Sequence, residues 1–120
     1  MHELALSEAI ADSVATRAAS RPVTEARVRI GFLRQVVPEA LTFAWAMVTD
    51  GTALDGCALV IEHVPAAVAC RACGAHSVLT APILMCGVCA TTDVELRSGD
   101  EFLLVSIELA HASKGSKGDS

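Results

Sequence analysis

The chain has 120 residues, and its 9 Lys and Arg against 14 Asp and Glu give a net charge of −5 with the four histidines neutral. This length predicts one small domain with an insert. Hydrophobic residues make up 52% of the chain, but only four residues are aromatic. The core is therefore expected to be small and to need an additional stabilising element. The acidic balance without a positive stripe argues against a nucleic-acid partner, because phosphate recognition depends on clustered Lys and Arg.

The N-terminus does not resemble a targeting segment. Met1-His2-Glu3-Leu4 has no basic region, and Glu8 and Asp12 interrupt the apolar residues after it, so no secretory signal is predicted. The uncharged stretches are too short, or too broken by Gly, Pro, His and Cys, to span a membrane. We therefore expect a cytoplasmic protein with no membrane partner, in which metal binding explains the five cysteines better than disulfides do.

Hydrophobic periodicity predicts a helix followed by a strand. From Leu4 to about Ser20, apolar residues recur every fourth position, which is typical of an amphipathic helix; they are Leu6, Ile10, Val14 and Ala18. Pro22 ends this helix. Apolar and polar residues then alternate from Val23 to Phe32, which predicts a half-buried strand.

A second helix and two further strands come next along the chain. The helix is expected to begin near Pro38 and to end at Asp50-Gly51, with a core stripe of Leu41, Ala44, Trp45 and Val48. Cys57 to Val64 and Glu101 to Leu109 are strand-like, and the second of these changes phase near Val105-Ser106, which suggests a bulge.

Two segments lack such periodicity. Residues from Ala66 to about Thr92 are rich in Ala, Gly and Cys and are interpreted as an inserted module. The residues after Ala110 are small and polar, and they cannot bury enough apolar surface to offset the cost of ordering. We therefore predict a disordered tail over 112–120.

Four cysteines form the strongest motif. Cys70-Arg71-Ala72-Cys73 and Cys86-Gly87-Val88-Cys89 are two C-x-x-C pairs separated by twelve residues. A tight turn in each pair can direct two thiolates at one metal, and four thiolates fill the coordination sphere of zinc without leaving a position for water. The pattern predicts a structural Zn(II) site.

Other interpretations of these residues are weaker. A thioredoxin-like redox motif normally occurs once, at a helix start in a βαβ unit, and neither condition holds here. His76 is an alternative fourth zinc ligand, although a surface position on the turn is favoured. Cys57 lies alone in a predicted strand and is expected to be a small buried hydrophobe, while His63 and His111 are expected at the surface.

His2 offers a second metal site of different chemistry. The Met1 amine, the imidazole of His2 and the deprotonated amides of His2 and Glu3 can surround a metal in one plane, a geometry that suits Ni(II) or Cu(II) but not zinc. Position and composition alone favour the alternative, a solvated terminus.

The order of motifs resembles the HypA (HypA/HybF) family, the nickel metallochaperones of hydrogenase maturation. The similarity covers residues 1 to about 110 and rests on Met1-His2-Glu3-Leu4, Val28-Arg29-Ile30-Gly31, Pro38-Glu39-Ala40-Leu41, Phe43, Gly51-Thr52, Ile61-Glu62, Val64-Pro65, both C-x-x-C pairs and Gly99-Asp100-Glu101.

The resemblance implies an α+β fold of two helices packed on a three-stranded sheet, with an inserted zinc-ribbon-like module that carries the four cysteines. The expected domains are a nickel-binding domain at 1–65 plus 92–111 and a zinc-binding domain at 66–91. The resemblance also implies that transported Ni(II) binds at Met1, His2 and Glu3, and that structural Zn(II) binds at Cys70, Cys73, Cys86 and Cys89. The implied partners are the accessory GTPase HypB and a hydrogenase large-subunit precursor.

One other interpretation of the sequence stays open. A zinc-ribbon interaction module without metal delivery would carry the same cysteines. An enzyme is not predicted, because no catalytic constellation is present.

The sequence departs from the family pattern at Val37 and at the apolar run Phe102-Leu103-Leu104-Val105. This run is compatible with a homodimer, including a domain-swapped one, because an apolar edge strand invites pairing with another chain.

Overall fold

The computed structural model describes residues 2–110, without the side chain of His2. Met1, His111 and the predicted tail at 112–120 lie outside the described residues. Two α-helices, one short 3-10 helix and six strands follow one another as α1 (His2–Ala18), β1 (Val23–Gly31), the 3-10 helix (Phe32–Arg34), α2 (Pro38–Thr49), β2 (Ala58–Val64), β3 (Ala67–Cys70), β4 (His76–Val78), β5 (Val94–Ser98) and β6 (Phe102–Leu109).

The first helix begins earlier than predicted. Its first residue is His2 instead of Leu4, so His2 and Glu3 belong to the first turn. It also ends earlier, because Ala19 and Ser20 adopt positive φ angles of 52° and 74° that no α-helix accommodates. The second helix starts at Pro38, as predicted from the fixed φ of proline at a first helical position.

The two helices lie side by side and run in the same direction. A carboxylate oxygen of Glu3 accepts a hydrogen bond from the backbone N–H of Val37 at 3.3 Å, and the hydroxyl of Ser7 donates to the carbonyl of Leu41 at 3.4 Å. Both pairs are separated by 34 residues, so advancing along α1 means advancing equally along α2. The N-termini of the two helices are therefore neighbours.

One three-stranded sheet has the order β2-β1-β6. The N–H of Gly31 donates to Glu101 and the N–H of Ala110 donates to Pro22, so β1 and β6 run in opposite directions. Burial along β6 alternates and changes phase at Leu104 and Val105, where the apolar pattern predicted a change of phase.

A second three-stranded sheet, of order β4-β3-β5, was not predicted from the sequence. Both pairings are antiparallel, and the β3–β5 register shifts between Ala67 and Val68. The segment treated as an aperiodic insert is therefore partly β structure. Its strands have three to five residues, too few for a period-two pattern to be recognised.

The buried side chains come largely from the predicted stripes. The apolar ones of α1, β1 and α2 are Ile10, Val14, Ala18, Val23, Ala26, Val28, Ile30, Leu41, Ala44 and Trp45. The indole N–H of Trp45 donates to the carbonyl of Cys57 at 2.7 Å, which satisfies the one polar atom of this buried ring. Phe32, expected at the end of a strand, is half-buried in the 3-10 helix.

The described chain forms two compact units. The first contains residues up to 28, residues 37–60 and those from 104 onward, and the second contains 29–36 and 61–103. The second unit has a small core of its own, in which Ala66, Val68 and Leu79 are buried against half-buried Phe32 and Leu96. Neither helix has the length and apolarity that a membrane crossing requires.

Candidate metal centre

Four cysteines meet at one point of the second unit. The sulfur atoms of Cys70, Cys73, Cys86 and Cys89 all lie within 4.8 Å of one another. The Cys70–Cys89 and Cys73–Cys86 sulfur distances are both 3.7 Å. A tetrahedral ion with metal–sulfur bonds of about 2.3 Å separates its ligand sulfurs by about 3.8 Å, so the cluster has the dimensions of a tetrahedral tetrathiolate site.

The two C-x-x-C turns repeat the same backbone geometry. In the first turn, the N–H of Cys70 donates to Ala75 and the N–H of Gly74 donates to Cys70. In the second turn, the N–H of Cys86 donates to Thr91 and the N–H of Ala90 donates to Cys86. The donors and acceptors of the second turn follow those of the first turn by sixteen positions in the sequence. The equal spacing of the two motifs therefore corresponds to two equivalent turns that face one metal position.

Backbone hydrogen bonds lower the thiol pKa of the first cysteine of each pair and so favour its thiolate form. The sulfur of Cys70 accepts backbone N–H groups from Ala72 at 3.3 Å and Cys73 at 3.2 Å, and that of Cys86 accepts those of Val88 and Cys89. The N–H of Cys89, and then that of Val88, lowers the pKa of the Cys86 thiol to about 6. The N–H of Cys73 likewise lowers the pKa of Cys70.

The thiol pKa of the second cysteine of each pair is raised instead of lowered. A backbone hydrogen bond from Ala75 acts to lower the pKa of Cys73, but the neighbouring Cys70 thiol and burial outweigh it and raise this pKa to about 12. The pKa of Cys89 is also raised, against a backbone hydrogen bond from Thr91, by burial and by Cys70. Without a cation the four thiols cannot all ionise, whereas a divalent cation removes this repulsion.

Contacts far apart in sequence hold the two turns in place. The guanidinium of Arg71 donates to the carboxylate of Asp93 at 3.1 Å and to the carbonyl of Val94 at 3.0 Å. The hydroxyl of Ser77 accepts the N–H of Gly87 at 3.0 Å. These supporting residues were not predicted from the sequence, because their partners are 22 and 10 positions away and no local motif marks them.

The other candidate side chains lie elsewhere. His76 is exposed on β4, and the described metal-binding cluster consists of the four cysteines alone. Cys57 is buried, as predicted, and burial is the main cause that raises the pKa of its thiol, with Glu25 adding to it. His63 is exposed, with its ring edge-on to Phe32 at a centroid distance of 6.3 Å.

The predicted N-terminal site is described only in part. His2 is the first residue of α1, and the carboxylate of Glu3 contacts the N–H of Val37 at the start of α2. Met1 and the side chain of His2 lie outside the part of the chain that the structure describes. The backbone setting of this site is the first turn of one helix beside the first turn of another.

Comparison with known proteins identifies relatives along most of the chain. The sequence model of the family "Hydrogenase/urease nickel incorporation, metallochaperone, hypA" matches residues 1–109. A hydrogenase maturation factor HypA of Desulfosudis oleivorans is 35% identical over 113 residues, which cover 91% of this chain and 98% of that protein. One of Chloroflexus aurantiacus is 38% identical over 112 residues, which cover 90% of this chain and 98% of that protein.

The fold is also found among solved structures. The solution structure of the Ni metallochaperone HypA from Helicobacter pylori has a TM-score of 0.59 at 20% identity and covers 91% of this chain and 97% of that one. This likeness concerns the fold alone. The family match over residues 1–109, together with the relatives that are 35% and 38% identical, shows that the chain belongs to the HypA family of metallochaperones for hydrogenase and urease nickel incorporation.

Proposed function

We propose that this chain binds Ni(II) at its N-terminus and delivers it for maturation of [NiFe]-hydrogenase. The ligands are the Met1 amine, the His2 imidazole and the backbone amides of His2 and Glu3. The observation that carries the proposal is the family match, which begins at residue 1 and so includes Met1-His2-Glu3. Nickel is the cargo, and the chain itself catalyses no reaction.

The start of α1 supports amide ligation. The first four N–H groups of a helix have no carbonyl partner within that helix, and those of His2 and Glu3 are among them. Deprotonating these amides therefore removes no donor from an intrahelical hydrogen bond. Because consecutive N–H groups in a helix point along its axis, a planar site with two of them requires the first residues to leave the helical conformation.

The charges at the N-termini of the two helices favour reversible binding of Ni(II) over tight retention. The adjacent N-termini of α1 and α2 both carry partial positive charge, which disfavours a bound cation. Glu3 and Glu39, in the first turns of the two helices, supply the compensating negative charge. A nickel ion held by these nitrogens at this position can be released to a destination with better ligands.

In the proposal the four-cysteine cluster holds structural Zn(II). Four sulfur donors at tetrahedral spacing suit zinc, and they leave no position for water or substrate. The proposed domains are the nickel-binding domain at 1–65 plus 92–111 and the zinc-binding domain at 66–91. The proposed partners are the accessory GTPase HypB and a hydrogenase large-subunit precursor, the proposed location is the cytoplasm, and a homodimer is the proposed assembly.

Substitution of His2 tests the nickel assignment. His2→Ala is expected to abolish specific Ni(II) binding in isothermal titration and to leave the zinc content unchanged, because the two sites share no residue. His76→Ala, which removes an exposed histidine outside the proposed site, is the matched control and is expected to bind nickel normally. Unchanged nickel affinity in His2→Ala would contradict the assignment.

A second candidate function is a protein-interaction module without metal delivery. Residues 72–92 contain no Asp, Glu, Lys or Arg, and Val78, Ile83 and Val88 are 64%, 57% and 72% exposed. Apolar side chains exposed in this way are typical of protein-contact surfaces. The nickel titration separates the two candidates, because an interaction module alone binds no nickel at the N-terminus.

A further inference from the structure

A groove with an apolar floor and an acidic rim lies on the first unit. It has a cavity volume of about 280 Å³ and lies between α1, the end of α2 and the loop after α2. Ala11, Ala15, Val48 and Leu54 form its apolar wall, and Glu8 and Asp12 stand at its edge. Its volume is below the roughly 300–1,000 Å³ of clefts that bind small organic ligands, so it suits a single long side chain.

The α1 side of the groove follows helical spacing. Glu8, Ala11, Asp12 and Ala15 are related by three and four positions, so they share one helix face. Leu4, which is 49% exposed, lies four residues before Glu8 and extends the same face towards the N-terminus. The small alanine side chains keep the floor open beneath the two longer carboxylates.

The two rim carboxylates differ from four other acidic groups of the described chain, which are paired with arginines. Glu25, Glu62, Asp93 and Glu95 each form an ion pair with an arginine. Glu8 and Asp12 are both exposed, and their side chains have neither an ion pair nor a hydrogen bond among the described residues. Like charges four positions apart on a helix disfavour each other, so a cation supplied from outside relieves this repulsion.

We propose that this groove is a docking site for a basic amphipathic helix of a partner protein. One Lys or Arg side chain lays its aliphatic stem on Ala11, Ala15 and Val48 and brings its charged head to Glu8 and Asp12. This arrangement uses both chemical characters of the side chain, the apolar stem and the charged head. The proposal is independent of the nickel assignment, since none of its residues is a proposed metal ligand.

The groove lies close to the first turn of α1, where the proposed nickel site begins. Glu8 is six residues after His2, which corresponds to about 9 Å along a helix. A partner held at Glu8 and Asp12 therefore lies beside the first turn of α1. A protein that receives or supplies cargo at the N-terminus has a reason to bind at this distance.

The test is a nuclear magnetic resonance titration of the full-length protein. The probe is a synthetic helical peptide with leucines on one face and lysines on the other, added at low ionic strength. Chemical shifts are expected to change at residues 8–15, 48 and 52–54. The matched peptide with glutamates in place of the lysines is expected to cause no such change, because the rim would repel it.

Substitutions assign the contact to the rim. E8Q/D12N is expected to weaken peptide binding about fivefold or more, because two exposed ion pairs contribute modestly and additively. D100N/E108Q removes the same number of charges elsewhere and is expected to leave the affinity unchanged. A15L fills the floor of the groove without changing charge and is expected to weaken binding as well.

Five results would overturn the proposal. Four are shift changes confined to other residues, equal binding of the lysine and glutamate peptides, equal loss of affinity in E8Q/D12N and D100N/E108Q, and groove shifts that depend on protein concentration without peptide. The last would identify a second copy as the occupant. A gain in peptide affinity on replacing Lys114 and Lys117 by Gln would identify the chain's own tail instead, which also contradicts the proposal.

Discussion

Two equivalent turn positions, Gly74 and Ala90, adopt the same left-handed conformation with different residues. Their φ angles are +78° and 63°, and each donates its N–H to the first cysteine of its own turn. The left-handed region costs a residue with a Cβ about 1–2 kcal/mol. Ala90 therefore holds strain that Gly74 avoids.

Ala90→Gly is expected to stabilise the metal-loaded protein by about 0.5–1 kcal/mol, since the greater freedom of glycine in the unfolded chain offsets part of the relieved strain. The measurement is the midpoint of urea unfolding. Gly74→Ala is the reverse experiment, and it is expected to destabilise by about 1 kcal/mol. No atom lies within 4 Å of the added Cβ, so its effect reports the conformation alone. Effects of the same sign in the two variants would refute the equivalence of the turns.

The connection between β5 and β6 depends on a glycine for a different reason. Gly99 has a φ of +114°, and a Cβ at this position would collide with the backbone of Ala66. Gly99→Ala is expected to destabilise the protein by more than about 2 kcal/mol in urea unfolding, because conformational strain and steric overlap add. Gly56→Ala is the control at a similar φ of +84° in open space, and it is expected to cost only about 1 kcal/mol. Equal losses in the two variants would show that the close approach to Ala66 is unimportant.

The proposed nickel site uses the terminal amine of Met1, so residues added before Met1 are expected to affect it. Residues added before Met1 are expected to weaken Ni(II) binding almost as much as His2→Ala does, because the terminal amine is lost as a ligand. Isothermal titration of an N-terminally tagged protein measures this, with a C-terminal tag as the control. Normal nickel binding by the N-terminally extended chain would exclude the amine, even if His2 were a ligand.

The helices were predicted better than the strands. The predicted stripes of α1 and α2 are buried except for Leu6 and Val48, which are half-buried. They were recognised because a helix of twelve or more residues repeats its pattern often enough. The start at His2 was missed, since no N-terminal capping residue marks it. Strands β3, β4 and β5 were missed because their three to five residues carry no sustained period.

For the molecule as a whole, the metal and the small core of the second unit are expected to act together. Cys73→Ser is expected to release zinc and to disorder mainly residues 66–92, because the core of Ala66, Val68 and Leu79 is too small to hold the turns without the metal. Metal analysis and nuclear magnetic resonance spectra check this, and helical circular dichroism is expected to persist. Loss of the helical signal would instead indicate one cooperative unit.

The sequence by itself determined the composition of the metal cluster. Two C-x-x-C pairs of equal spacing are sufficient to predict four thiolate ligands, because the tight turn of each pair is a local property of the chain. The exposed position of His76 and the buried one of Cys57 also followed from local pattern. The supports Asp93 and Ser77, and the strain at Ala90, depend on partners brought together by folding and had no local signal.

Only the tertiary structure decided the direction of the helices. Parallel packing of α1 and α2 is fixed by contacts between residues 34 positions apart, and no periodicity within either helix encodes it. This packing brings two helix N-termini together beside the proposed nickel site, and it creates the groove rimmed by Glu8 and Asp12. Short-range pattern thus predicts which residues are candidate ligands and which faces are apolar, whereas the juxtaposition of separate elements determines the electrostatic setting and the surfaces that other molecules meet.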